Sequence, residues 1–117
     1  MDPLEVNDSM FPVHRVLFNN GEFSIIWGTW DKGDQCLGMR WNGDPHSSYP
    51  NGYPTGKGLR PIWLVIPAEL SIPFVSSLLG QDSVDTAQVL QLLGELLETN
   101  AQETNEDAEH VVGGNGG

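Results

Sequence analysis

The stretch that most constrains the fold runs from Phe23 to Gly43, FSIIWGTWDKGDQCLGMRWNG. Two apolar, aromatic-rich runs flank Asp31-Lys32-Gly33-Asp34, a cluster of turn formers. Successive side chains of a strand point to opposite faces, so Phe23, Ile25, Trp27 and Thr29 share one face. Ser24, Ile26, Gly28 and Trp30 share the other. In the second run Leu37, Met39 and Trp41 alternate with Cys36, Gly38 and Arg40. Neither face is purely polar. Both are therefore expected to be at least partly covered, unless one is a working surface.

The flanking segments extend this hairpin into a meander. Phe11 to Phe18 reads as a first strand, with Pro12 near its start, where a missing donor is tolerated. Asn19-Asn20-Gly21 follows as a hairpin turn, since Asn and Gly accept positive φ at little cost. Pro61 to Ile66, PIWLVI, is nearly continuous in apolar residues and reads as a fourth strand, central in the sheet or covered on both faces. Pro67-Ala68-Glu69-Leu70 opens a helical turn, and Ser71 is expected to cap a short helix with Phe74, Val75, Leu78 and Leu79 on its apolar stripe. Gly80 supplies a left-handed stop. Asp82 or Ser83 is expected to cap a longer helix over about residues 84–99. Its apolar positions Val89, Leu90, Leu93, Leu96 and Leu97 are read as a core face, with a homodimer seam as the sharper alternative. The expected class is α+β: a four-stranded antiparallel sheet followed by C-terminal helices. Residues 1–10 are expected to be a flexible leader, 11–99 a single domain, and 100–117 a disordered acidic tail ending in glycines.

The net charge of −11 is unevenly spread. Residues 81–117 carry eight of the sixteen acids and none of the five bases. Cys36 is alone, which excludes an intramolecular disulfide and a cysteine-built metal cage and suits a reducing cytosol. The acidic N-terminus does not read as a signal peptide and no window has the apolar length of a membrane span, so a cytoplasmic location is expected. His14, His46 and His110 have no ligand spacing, and no nucleophile elbow or paired-acid pattern stands out. Neither a metal, a cofactor nor an enzymatic activity is expected.

What remains is an aromatic and basic set: Trp27, Trp30, Arg40, Trp41, Tyr49, Tyr53, Lys57 and Arg60. Single-stranded DNA or RNA is held by bases stacked on aromatic rings while scattered cations follow the phosphates. Four of these residues lie in or end the Gly- and Pro-rich loop from Asn42 to Arg60, long enough to suggest a functional loop. Gly56-Lys57-Gly58 lacks the rest of a P-loop, so its use would be a single phosphate contact by Lys57, helped by Arg60.

The passage Leu37-Gly38-Met39-Arg40-Trp41-Asn42-Gly43, the Gly56-Lys57-Gly58 turn, and a strand running into Pro67-Ala68-Glu69-Leu70 and a helix bearing Phe74, Val75, Leu78 and Leu79 carry a resemblance. From about Gly33 to Leu79 the chain resembles the positive-cofactor-four-like family of single-stranded-DNA-binding transcription coactivators. The resemblance implies a twisted four-stranded sheet, a following helix and a dimer formed through helices. Leu59, Arg60 and Pro61 separate the glycine-lysine-glycine turn from the last strand, where the family has none, and the second helix and acidic tail are additions. The leading expectation is a small non-enzymatic protein for single-stranded nucleic acid whose acidic tail is autoinhibitory or recruits a partner. Its rival is an acidic interaction module or small inhibitor acting on a basic protein partner, by nucleic-acid mimicry or otherwise.

Overall fold

A computed structural model describes residues 2–99; the expected tail over 100–117 lies outside them. Four antiparallel strands, β1 (Val13–Asn19), β2 (Phe23–Thr29), β3 (Gln35–Trp41) and β4 (Leu64–Ile66), form one sheet in the order β1-β2-β3-β4. Helix α1 (Ser71–Leu78) follows a single 3-10 turn at Ala68–Leu70, and α2 spans residues 86–99. The chain is thus an antiparallel meander followed by helices, as expected.

Both hairpin turns follow from their residues. In the first, Asn20 Oδ1 accepts from the backbone N–H of Glu22 and Phe23, at 2.9 and 2.8 Å. In the second, Asp31 and Lys32 take positive φ, 47° and 59°, and Gly33 N–H donates to Trp30 C=O at 2.8 Å. Left-handed backbone at both central positions matches the twist of the flanking strands. The β2–β3 register runs uninterrupted from Phe23↔Trp41 to Thr29↔Gln35, and the pairs Ser24↔Arg40, Ile26↔Gly38, Trp27↔Leu37 and Gly28↔Cys36 are buried on both strands.

Alternation divides the sheet into two covered faces. Leu17, Ile25, Trp27 and Leu37 pack against Val75 and Leu78 of α1 and Val89 and Leu92 of α2. On the opposite face Ile26, Cys36 and Trp63 pack against Val6 and Phe11. A Cβ on Gly28 would overlap the Phe11 ring, so the missing side chain lets the N-terminal segment lie flat on the strand. The leader expected over residues 1–10 is therefore, from Asp2 onward, a strap over the sheet. Pro3, Val6 and Asp8 are buried, and the Asp8 carboxylate accepts from the N–H groups of Met10 and Trp63 at 3.1 and 3.2 Å.

The helix starts differ from expectation. Ser71 is a buried first-turn residue of α1 and makes no cap; Leu70 precedes it as a boundary without a side-chain hydrogen bond. Gly80 has the expected left-handed φ of 85°. Residues Ser83 to Asp85 run along the free edge of β1: Asn19 N–H donates to Ser83 C=O at 3.1 Å and Asp85 N–H to Leu17 C=O at 2.9 Å. Asp85, rather than Asp82 or Ser83, then accepts from Gln88 N–H at 3.2 Å and starts α2. A single Arg15 nitrogen, Nη2, donates to both Glu95 carboxylate oxygens at 2.9 and 2.8 Å and ties β1 to the middle of α2. The buried face of α2 is also rotated from the expected stripe. Val89 and Leu92 are fully buried with Leu93 and Leu96 at their flanks, whereas Leu90 and Leu97 are 53% and 49% exposed.

Leu92→Ala is expected to lower the free energy of urea unfolding by about 2–5 kcal/mol, and Leu90→Ala by less than about 1 kcal/mol. Equal losses at the two positions would place the helix in the wrong rotation.

Candidate aromatic groove

The loop between β3 and β4 is long but built, and Arg40 is its anchor. Arg40 follows Cys36 and Gly38 on the strap face of β3, and its side chain is 1% exposed. Its guanidinium lies over the Trp63 ring at 5.9 Å. Its Nε donates to Ile62 C=O at 3.0 Å and an Nη to Asn51 C=O at 2.6 Å. One planar fork thus ties the middle of the loop to its returning end. Burial pushes the Arg40 pKa below its ordinary value, yet an arginine remains a cation at any working pH. Burial, with Asp34 adding to it, raises the pKa of the Cys36 thiol on the same face and keeps it neutral.

A second anchor is Asn42, buried at the end of β3. It accepts from Ser24 Oγ at 2.6 Å, donates through Nδ2 to Asn19 Oδ1 at 3.1 Å, and donates its backbone N–H to Glu22 C=O at 2.7 Å. Beyond it Tyr53 returns antiparallel to Trp41, and the two exchange both backbone hydrogen bonds, at 2.8 and 3.2 Å. Gly52 permits this return. Its φ is 70°, and a Cβ there would strike the Trp41 carbonyl. Gly52 N–H also donates to Tyr49 C=O at 3.0 Å, closing the turn that carries Tyr49.

These connections gather three rings. Phe23, paired with Trp41 across β2–β3, meets it edge to face at 4.9 Å, and Tyr53 sits on its other flank. Trp41, Tyr49 and Tyr53 are 55%, 70% and 62% exposed. Together with Pro45 they line a groove of about 720 Å³, within the usual range for a binding cleft. Its ionisable carboxylates are Glu22, from the β1–β2 turn, and Asp44, two residues past Asn42.

Of the eight residues picked from the sequence, Trp41, Tyr49 and Tyr53 come together. Trp27 does not belong with them: it is 4% exposed in the helix-side core, its Nε1 donating to Gln35 Oε1 at 3.1 Å. Arg40 is equally removed from solvent, spent on backbone carbonyls instead of phosphate. Trp30 is partly exposed but packs on Phe11 at 5.9 Å, beside Asp31, Asp34 and Glu69 in a separate cleft. Lys57 and Arg60 are exposed in the outer part of the loop and do not line the groove. Sequence reasoning missed Glu22, Asp44 and Pro45. Their signal was position: each directly follows or closely adjoins an Asn-Gly turn next to a strand end bearing Phe23 or Trp41.

No protein-family model, curated protein or solved structure matches the chain. Among the described residues there is no cluster of three side chains suited to a metal ion, and no helix is long and apolar enough to cross a membrane.

Arg40→Met should leave the Asn51 and Ile62 carbonyls without their donor. A loss of about 2–3 kcal/mol in unfolding free energy is expected. Amide exchange at Gly52 and Tyr53 should accelerate with it. Arg40→Lys should recover only part of the loss, because an ammonium cannot reproduce the fork.

Proposed function

We propose that this chain is a small non-enzymatic binding module whose groove of Trp41, Tyr49 and Tyr53 takes a positively charged segment of a partner protein. The observation that carries this reading is the sign of the groove: among the described residues its charged side chains are Glu22 and Asp44, set beside three exposed rings. Aromatic faces attract ammonium and guanidinium groups, and carboxylates at the rim add complementary charge. The net charge of −11 steers a cationic partner toward the molecule and repels polyanions. The acids of residues 101–117 extend the same attraction and suit a recruiting role for the C-terminal end.

A second reading, single-stranded nucleic acid, is favoured by exposed rings in the same loop as Lys57 and Arg60. It is the weaker of the two, since Glu22 and Asp44 repel phosphate where a base would stack. Tryptophan fluorescence during titration with a lysine-rich peptide and with an unstructured oligonucleotide separates the readings. The peptide is expected to bind, to weaken with added salt and to lose at least about tenfold in affinity with Trp41→Ala. Binding should survive truncation after Asn100, which separates the groove from the acidic end. Oligonucleotide binding alone, with a salt slope of about 0.7 per phosphate contact, would transfer the conclusion to nucleic acid. Binding of neither would overturn both readings.

A further inference from the structure

We infer that the segment the groove takes is proline-rich, in a left-handed extended conformation, with an arginine or lysine at one end. This rests on the reading above and adds the conformation of the partner.

The backbone rules out strand addition at the groove floor. Trp41 and Tyr53 already satisfy each other's N–H and C=O groups, at 2.8 and 3.2 Å, so an incoming strand finds no open ladder between them. Recognition falls to ring faces. Trp41 is held by the edge-to-face contact with Phe23 at 4.9 Å and by its pairing with Tyr53, and Tyr49 is presented by the turn closed at Gly52. A ring held as Trp41 is, beside tyrosines carried on a closed turn and a paired strand, meets pyrrolidine rings at low entropic cost, because a polyproline helix is already extended before binding. A long apolar segment of any other conformation would pay for ordering on arrival.

The acidic end supplies direction. The hydrogen bond from Asn42 N–H to Glu22 C=O at 2.7 Å brings the Glu22 turn beside the chain that continues to Asp44. Glu22 and Asp44 both line the groove with Trp41, so a guanidinium or ammonium group seated there has carboxylate partners. A cation at one terminus of the segment would fix which way it lies.

The test uses the full chain and three synthetic peptides of roughly eight residues, the length of a short groove ligand. One has an arginine followed by prolines, one replaces the prolines by glycine and serine, and one replaces the arginine by glutamate. The arginine–proline peptide is expected to bind at least about tenfold more tightly than either control, as anchored interfaces do. Glu22→Gln combined with Asp44→Asn should erase the preference for arginine over glutamate while leaving proline selectivity. Tyr49→Ala should reduce proline selectivity with the urea midpoint unchanged. Equal binding of the proline and glycine peptides would overturn this inference and leave a cationic-segment module standing. Failure of all three peptides would overturn both.

Discussion

The buried guanidinium of Arg40 is the interaction on which the rest of the loop depends. A cation taken out of water must have its donors occupied, and here backbone carbonyls of Asn51 and Ile62 accept from it while the Trp63 ring lies beneath. Those two carbonyls belong to opposite limbs of the long connection between β3 and β4. Satisfying one side chain therefore sets the path of about twenty residues of backbone, a length that rarely holds shape without such ties.

The groove follows from that path. Arg40 points to the strap face of β3, so its neighbour Trp41 points to the helix face, beyond the part of the sheet that α1 and α2 cover. Trp41 would be a lone exposed ring were Tyr53 not returned beside it through Gly52. The strap adds to the same end: Asp8 binds Trp63 N–H, and Trp63 supports Arg40. A continuous set of contacts thus links the N-terminal segment to the rings and ties the groove to the sheet although it lies largely in a loop.

Much of the fold was legible from periodicity. The Phe23–Gly43 hairpin, the Asn20-Gly21 turn and the four-strand order followed from alternation and turn residues. The rotation of α2 was open to a better reading, since Val89, Leu92, Leu93 and Leu96 follow helical spacing more closely than a stripe through Leu90 and Leu97. Charge alone points Arg40 toward phosphate, whereas its strand neighbours point it into the protein. Its place after Cys36 and Gly38, opposite Ser24, puts it on a covered face. Asp8 carried no such signal. Its role depends on the strap meeting Trp63, a contact between residues fifty-five positions apart that no local pattern encodes.

The four tryptophans give the central claim its most direct measurement, because each indole reports a different part of the molecule. Trp27 lies in the helix-side core, Trp63 under Arg40, Trp30 on Phe11 and Trp41 in the groove. In a nitrogen-labelled proton correlation spectrum, adding the arginine–proline peptide is predicted to shift the indole signal of Trp41 while those of Trp27, Trp30 and Trp63 stay in place. A shift of Trp30 with Trp41 unmoved, or a Trp41 shift with an oligonucleotide and none with the peptide, would contradict the account.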